Sequence, residues 1–457
     1  MQELNSIIDQ LKDEMVDTLT KWIQIPSVKG DAEDGAPFGK EVKRSLDVAL
    51  SDAKAMGFDV RNIDNYAGDV RMGVIGEDPL AILAHLDVVP AGDGWKVDPF
   101  GAVIDGDHMY GRGTTDDKGP AVAALYAMYA LKKAGVKFKR EVRLILGCDE
   151  ESGWEDMAYY TEHCDMPKTG FSPDANYPVI NTEKGMLHLD VHADYAQDGL
   201  VVKAFNVGER CNVIPGIATA IVAGDAALCE KVNRLASDMH IQVGAVIGED
   251  GDILLTSNGI PGHAAYPESA KNAIGQLLIM LRALGVSGAL KTLADCVGME
   301  YDGLGLGIRC SDETSGKLTC NIGIIRYDAS NGLYATLDIR YPILANHVAL
   351  KDTLVAALGD GIKVTVDTQK DPHHVAPNSK LVTSLLEAYH EETGRPSECL
   401  ATGGGTYARC LEEGVAFGSA FPEDEELAHQ AGEYLSIDGL MVNVRIFARA
   451  IIKLACE

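Results

Sequence analysis

The sequence predicts an α/β protein of two domains, and three observations lead to this fold class. A chain of 457 residues exceeds one ordinary core, and its 46% hydrophobic content is enough to fill more than one. Apolar runs at 80–84 and 142–146 predict buried strands on either side of a helix that begins at Gly119 and ends near Gly135. This order of elements is typical of a largely parallel sheet. From about Gly185 apolar and polar residues alternate, which indicates strands with one solvated face.

The remaining elements follow in chain order. The chain opens with an amphipathic helix that ends before Pro26, and its apolar face comprises Leu4, Ile7, Ile8, Leu11 and Met15. Later helices are predicted at 226–236, 272–284 and 381–391. The dipeptide Asn331-Gly332 predicts a hairpin between strands at 318–327 and 333–340. We therefore expect a discontinuous first domain at 1–184 and 373–457, with a smaller α+β insert of two or three helices at 185–372.

Composition excludes several classes of function. Forty basic against 68 acidic residues give a net charge of −28, spread along the chain, which disfavours binding to nucleic acid or anionic lipid. The ten cysteines are scattered without a C-x-x-C pair, so reduced thiols are expected. The start of the sequence has no basic segment typical of a signal peptide, and charges interrupt every apolar stretch before membrane-spanning length. These features predict a cytoplasmic enzyme that does not bind membranes.

The most informative feature is the adjacent pair Glu150 and Glu151, which directly follows the second predicted strand. Neighbouring carboxylates at the end of a buried strand repel each other unless a strongly positive group lies beside them, and a divalent metal is the usual solution. Other residues of metal-ligating type occur at strand ends, in a glycine-rich turn and near the C-terminus: His85, Asp87, Asp116, Asp117, Asp174 and His429.

Each motif also has an ordinary structural explanation. His85-x-Asp87 could be a capped turn, one aspartate of the Asp116-Asp117 pair could cap the following helix, and the glutamate pair could lie in a solvated loop. The glycine-rich turn could cradle a phosphate, but it lacks both the G-K-[ST] ending of a P-loop and the G-x-G-x-x-G spacing. The joint pattern, rather than any one motif, favours a metal centre.

Taken in order, His-x-Asp, Gly-x-Gly-x-x-Asp-Asp-Lys-Gly, Asp-Glu-Glu, Ser-Pro-Asp-Ala and Ala-His-Gln resemble the motifs of the M20 family of co-catalytic zinc metallopeptidases and acylases. Within that family the chain is most similar to PepV-type bacterial dipeptidases. The resemblance covers nearly the whole length and includes Gly262-His263-Ala264 in the insert. It implies a zinc-exopeptidase-like catalytic domain and a ferredoxin-like inserted lid domain.

The resemblance also implies the roles of the site residues. One zinc would be held by His85 and Asp174 and the other by Glu151 and His429, with Asp116 bridging the two. Asp87 would orient His85 from behind, and Glu150 would act as general base toward a water shared by both ions. The peptide bond between Asp116 and Asp117 would be cis. Mn²⁺ and Co²⁺ suit the same ligands.

Four residues of the insert and of a later glycine turn match the family's substrate-contacting positions. His263 would stabilise the oxyanion, Arg340 would clamp the substrate's terminal carboxylate, and Asn212 and Gly404 would line the substrate site. Two positions depart from the family pattern: Thr115 stands where alanine is more typical, and Gly432 replaces an asparagine often found before the final glutamate.

The resemblance predicts a dipeptidase that cleaves short unblocked substrates, including β-alanyl dipeptides. An M20 acylase or desuccinylase would share every metal ligand, and a non-catalytic metal- or ligand-binding protein could use the same scaffold. The presence of both Glu150 and His263 favours an enzyme. A long lid can take the place of a partner subunit's lid, so a monomer is expected rather than a lid-mediated homodimer.

Overall fold

A computed structural model describes residues 2–195 and 198–456. The chain divides into two compact units. Unit 1 comprises Met1–Asn181, Val375–Leu400 and Gly405–Glu457, and unit 2 comprises Thr182–His374 and Ala401–Gly404. The short segment 401–404 groups with unit 2, a feature that the sequence did not indicate.

The α-helices of the described residues are α1 Gln2–Gln10, α2 Lys12–Ile23, α3 Lys40–Ala55, α4 Lys118–Lys133, α5 Glu155–His163, α6 Ala226–Asp238, α7 Ala273–Leu284, α8 Gly288–Cys296, α9 His347–Leu358, α10 Lys380–Thr393 and α11 Ile437–Ala455. The strands are β1 Asp59–Ile63, β2 Ala67–Gly73, β3 Leu80–His85, β4 Val103–Asp105, β5 His108–Tyr110, β6 Glu141–Gly147, β7 Thr169–Ser172, β8 Ala175–Asn176, β9 Val179–Glu183, β10 Gly185–Ala193, β11 Val202–Val207, β12 Val213–Ile214, β13 Ile217–Val222, β14 Val243–Ile247, β15 Ile253–Asn258, β16 Gly262–His263, β17 Ser311–Asp312, β18 Gly316–Lys317, β19 Thr319–Asp328, β20 Gly332–Tyr341, β21 Ile362–Lys370, β22 His373–His374, β23 Cys399–Thr402, β24 Glu413–Ala416, β25 Ser419–Ala420 and β26 Tyr434–Ser436.

The main sheet of unit 1 is mixed, with the strand order β1-β2-β6-β3-β7-β24-β9. Its four central strands, β6, β3, β7 and β24, run parallel, whereas the flanking pairs are antiparallel. The predicted strands at 80–84 and 142–146 are β3 and β6, and every residue of both is buried. The prediction of a mixed, largely parallel sheet is confirmed.

Both faces of this sheet are covered, which explains why its strands have continuous apolar sequences. In β3, Leu80, Ile82 and Ala84 join the large core that includes α4 and α11, whereas Ala81 and Leu83 join a smaller core on the other face. The small residues of α4 let it lie close to its neighbours, and thirteen of its sixteen residues are buried. Because the central strands are parallel, their carboxyl ends meet at one edge, where functional residues are expected.

Unit 2 is α+β. Its sheet has the strand order β14-β15-β13-β11-β19-β20-β10-β21, and all its pairs are antiparallel. Buried and exposed residues alternate along β13, as expected for a sheet with one solvated face. Helices α6 and α7 match the predicted ones, and α8 and α9 are two further helices that the sequence pattern did not reveal.

Two local predictions need correction. The first helix is divided at Leu11 into α1 and α2, although Leu4, Ile8 and Met15 are all buried as the apolar face requires. The predicted hairpin exists, but Asp328 pairs with Gly332, so the loop is three residues long, 329–331, and Gly332 opens the second strand. The backbone N–H groups of Ser330 and Asn331 donate to the Asp328 carboxylate, which stabilises this three-residue turn.

Within the described part of the chain, no helix combines the length and the apolar character needed to cross a membrane. All ten cysteines lie in that part, and none of them forms a disulfide there.

Candidate metal centre

The candidate ligands of unit 1 come from five separate segments that meet near the carboxyl ends of the central strands. His85 is the last residue of β3, Glu151 follows β6, and Asp174 follows β7. Asp116 lies in the glycine-rich turn before α4, and His429 lies in the segment between β25 and β26. Because the strands are parallel and adjacent, residues that follow them in sequence become neighbours in space.

These side chains form two overlapping groups that could hold metal ions: His85, Asp116 and Asp174, and Asp116, Glu151 and His429. In each group the ligand atoms all lie within 4.8 Å of one another. The two oxygens of Asp116 face different groups, since Oδ1 lies 2.9 Å from His85 Nε2 and Oδ2 lies 2.9 Å from His429 Nε2. His429 Nε2 also lies 2.9 Å from Glu151 Oε1. Asp116 is therefore the shared member of both groups.

Asp87 stabilises this arrangement because it contacts both His85 and the glutamate pair. The Nδ1 atom of His85 lies 2.9 Å from the main-chain oxygen of Asp87 and 3.5 Å from its Oδ1. The two carboxylate oxygens of Asp87 accept hydrogen bonds of 3.1 Å from the backbone N–H groups of Glu150 and Glu151. One buried aspartate thus fixes the orientation of the imidazole and the position of the glutamate pair.

Burial and mutual repulsion govern the acidity of the cluster. Burial, followed by the charge of Asp116, raises the pKa of Asp174 to about 7. Burial and the charge of Asp174 raise the pKa of Glu150 well above its ordinary value. Asp116 behaves in the opposite way: burial opposes ionisation, but hydrogen bonds from His429 and His85 hold its pKa below the ordinary range. Three carboxyl groups so close together indicate a site that needs positive charge.

Asp117 and Lys118 belong to neither of the two groups. The peptide bond between Asp116 and Asp117 is cis, as the resemblance implied. Asp117 precedes α4 but makes no side-chain capping hydrogen bond, and its Oδ2 accepts from the His85 backbone N–H at 3.0 Å instead. The ordinary explanation of Asp117 as a helix cap is therefore wrong. Lys118 Nζ donates to the carbonyl oxygens of Trp22 and Ile25, and burial lowers its pKa to about 7.

Sequence reasoning assigned no role to Glu433, which lies three residues after the Ala-His-Gln motif. Its carboxylate is fully buried and accepts hydrogen bonds from the turn that carries Asp116, including the N–H groups of Gly113 and Thr115. A second unassigned residue is Tyr407, whose ring meets that of His85 edge to face at 6.3 Å. The Tyr407 hydroxyl donates to Asp156, which also accepts from the backbone N–H of Cys148.

The other predicted site residues all belong to unit 2. His263 lies in β16, is exposed, and its Nδ1 accepts from the Ala265 N–H at 3.1 Å. His263 pairs with Val213 in the short β12–β16 ladder, and the carbonyl of Asn212, the residue before Val213, accepts from the Ala264 N–H at 2.9 Å. The N–H of Gly404 donates to Thr402 Oγ1 at 2.9 Å.

Arg340 is buried in unit 2, and each of its three side-chain nitrogens donates to a neighbouring oxygen. Its Nε and Nη2 atoms donate to the two carboxylate oxygens of Asp338 at 2.6 and 2.8 Å. Its Nη1 donates to the Gly403 carbonyl at 2.9 Å. Within unit 2, Arg340 is therefore in direct contact with the glycine turn that includes Gly404.

The fold and the two groups that share Asp116 define a two-unit α/β protein with a candidate dinuclear metal centre in its first unit. The sequence profile of the family described as "Peptidase family M20/M25/M40" matches residues 81–453 of the chain. A Bacillus subtilis (strain 168) protein named "Putative dipeptidase YtjP" is 36% identical, and the match covers 97% of this chain and 98% of the relative. The chain belongs to this peptidase family.

Two further relatives extend this comparison. The Beta-Ala-Xaa dipeptidase of Lactobacillus delbrueckii subsp. lactis is 34% identical, with 97% of this chain and 96% of the relative covered. Among solved structures, human carnosine dipeptidase 1 is similar with a TM-score of 0.61 at 15% identity, covering 99% of this chain and 98% of that chain. At that identity the similarity shows a shared fold.

Proposed function

We propose that this protein is a metal-dependent dipeptidase that hydrolyses the single peptide bond of short unblocked substrates. The observation that carries the proposal is the pair of side-chain groups that share Asp116, with Glu150 beside them. Membership of the peptidase family supports hydrolysis of an amide bond. The names of two relatives, "Putative dipeptidase YtjP" and "Beta-Ala-Xaa dipeptidase", support the substrate length.

The donor set suits divalent cations. Imidazole nitrogens and carboxylate oxygens are the ligands of catalytic zinc, and the crowded acids gain from a nearby positive charge. We propose that His85 and Asp174 hold one Zn²⁺, that Glu151 and His429 hold the other, and that Asp116 contributes one oxygen to each. Mn²⁺ or Co²⁺ would suit the same set, so the native metal is a matter for measurement.

When bound, divalent cations would polarise the scissile carbonyl and lower the pKa of the attacking water. Glu150 would accept a proton from that water and later donate it to the leaving amine. Burial and the charge of Asp174 raise the pKa of Glu150, which makes its carboxylate a stronger proton acceptor than that of an exposed glutamate. Asp87 would hold the base in position through the Glu150 N–H. We further propose that His263 stabilises the negative charge that develops on the carbonyl oxygen.

For substrate binding we propose that Arg340 fixes the terminal carboxylate, with Asn212 and Gly404 beside the peptide. A guanidinium group can donate two parallel hydrogen bonds to a carboxylate, and fixing the terminus at a set distance from the reacting bond would select dipeptides by length. By similarity to the Beta-Ala-Xaa dipeptidase, β-alanyl dipeptides belong among the candidate substrates.

A direct test compares substrates and one variant. Purified protein supplied with Zn²⁺, Mn²⁺ or Co²⁺ should cleave unblocked α- and β-alanyl dipeptides faster than tripeptides. It should also cleave them faster than N-acetyl or N-succinyl amino acids, which an acylase would prefer. Glu150→Gln should lower kcat by about 10²- to 10⁴-fold with metal content unchanged, because it removes the proton acceptor but keeps the shape.

The matched control is Glu155→Gln, which changes an exposed glutamate at the start of α5 only a few residues away. It should keep full activity. Unchanged dipeptide turnover in Glu150→Gln would disprove the assigned mechanism. Metal binding without hydrolysis of any amide tested would favour a non-catalytic binding protein on the same scaffold.

A further inference from the structure

The buried carboxylate of Glu433 contacts the turn that carries Asp116. The Oε1 atom of Glu433 accepts hydrogen bonds from the backbone N–H groups of Gly113 at 3.0 Å, Thr115 at 2.9 Å and Asp116 at 3.3 Å. Three backbone donors within four residues that converge on one oxygen fix the path of the backbone between them, because each of these N–H groups must point inward. The conformation of the turn therefore depends on Glu433.

The Thr115 side chain adds a contact that alanine could not make. Its Oγ1 donates to the same oxygen of Glu433 at 3.0 Å. The departure from the family pattern noted in the sequence thus acquires a structural role. The other carboxylate oxygen, Oε2, accepts from Arg112 Nη1 at 2.5 Å, and the Arg112 guanidinium lies over the Trp95 ring at 5.4 Å. Both oxygens of the carboxylate are engaged, which holds it in one orientation.

The main chain of Glu433 makes a second connection. Its carbonyl oxygen accepts from the Gly111 N–H at 3.0 Å, and the next residue, Tyr434, pairs with Tyr110 in the β26–β5 ladder. Glu433 follows His429 by four residues. The segment that supplies His429 is therefore joined, through side chain and backbone, to the segment that supplies Asp116.

We propose that Glu433 is a positioning residue that, together with the Thr115 hydroxyl, sets Asp116 and His429 in register for metal binding. This inference rests on the metal centre proposed above. Neither residue contacts the reacting atoms. Their effect is exerted through the placement of Asp116, whose two oxygens face both groups.

The test measures metal affinity rather than turnover. Metal-free full-length protein is titrated with Zn²⁺ against a chromogenic chelator, and with Co²⁺ while its visible absorption band is recorded. Glu433→Gln should weaken binding by about 10- to 100-fold and alter the Co²⁺ band, because the outer partners of metal ligands have effects of that size. Thr115→Val removes only the hydroxyl donor and should weaken binding by about threefold to tenfold.

The matched control is Glu141→Gln. Glu141 is likewise fully buried in unit 1 and accepts from an arginine, Arg143, at 2.8 Å, but it lies at the opposite end of β6 from the metal centre. Its substitution should lower stability and leave metal affinity and the Co²⁺ band unchanged.

Two results in Glu433→Gln would each overturn the proposal: wild-type affinity, or a loss of affinity no greater than that of Glu141→Gln at equal loss of stability. If Glu433→Gln fails to fold, Thr115→Val becomes the test of the proposal. Wild-type metal affinity and an unaltered Co²⁺ band in Thr115→Val would refute the positioning role. A wild-type protein that binds neither Zn²⁺ nor Co²⁺ removes the basis of the inference and refutes it. A wild-type protein that binds metal but hydrolyses no dipeptide refutes the proposed function alone.

Discussion

The pairing of Asp338 with Arg340 offers a sharp test of what stabilises unit 2. The two residues lie on the same face of β20, and less than 3% of either residue is exposed. Their contact is bidentate, with N···O distances of 2.6 and 2.8 Å, and His188 Nε2 lies 3.3 Å from the same carboxylate. The substitution Asp338→Asn keeps the shape, removes the negative charge and directs an amide N–H₂ at one of these donors.

The expected cost follows from burial. Removing one partner of a buried ion pair costs about 3–5 kcal/mol, because the remaining charge stays desolvated without compensation. Asparagine retains one acceptor, so we expect about 3 kcal/mol of lost stability. The control Asp190→Asn changes a half-exposed residue of β10 whose carboxylate accepts from the Tyr334 hydroxyl, and it should cost less than about 1 kcal/mol.

The effect also depends on pH. Burial alone would raise the pKa of Asp338, but Arg340 and His188 hold it well below its ordinary value of 3.8. Because the folded pKa is depressed, the native state binds fewer protons than the unfolded state, and the stabilisation is present above the unfolded pKa and lost as the pH falls. The advantage of the wild type over Asp338→Asn should be complete at about pH 6 and should shrink below about pH 4.

The assay is hydrogen exchange in urea, read on peptides from β10, β19 and β20, because the two units need not unfold together. A free energy of opening in Asp338→Asn within about 1 kcal/mol of the wild type at neutral pH would refute the reasoning, since the buried charge would then have found another partner. A difference that stayed constant down to about pH 3 would refute the assigned pKa direction.

Three further outcomes are expected. Phe171→Ala should cost about 3–5 kcal/mol in urea unfolding of unit 1, because Phe171 is fully buried and its ring packs against those of Phe417 and Phe447; an effect below about 1 kcal/mol would contradict this packing. Chelation should abolish hydrolysis and lower the unfolding temperature, and restored metal should reverse both, because the crowded carboxylates of the metal centre then regain a counter-charge. Light scattering should give the monomer mass of 48.8 kDa, and twice that mass would disprove the expected monomer.

The sequence was most informative where a pattern of residues is compatible with only one local structure. The continuous apolar runs of β3 and β6 indicate strands buried on both faces, and the structure confirms both strands. The parallel order then places the residues that follow these strands at one edge, which is why His85 and Glu151 could be grouped from the sequence pattern, whereas Asp174 was placed by the family resemblance. Their grouping with Asp116 and His429 relied on the family resemblance, since nothing local relates such distant segments.

Where several conformations satisfy the same pattern, the sequence was less informative. The apolar face of the first helix is compatible with one helix or with two, and the structure divides it at Leu11. Helices α8 and α9 were missed. The contact between Arg340 and Asp338 was also not predicted, although residues two apart lie on the same face of a strand.

What the sequence by itself determined is the fold class, the buried strands and the set of side chains able to bind metal, because these follow from hydrophobicity and functional groups. Only the tertiary structure revealed how those side chains are held. Glu433 meets Gly113 across 320 residues, and its partners include backbone N–H groups, which every residue except proline possesses. Because such donors carry no residue identity, no sequence pattern could have pointed to the carboxylate that receives them.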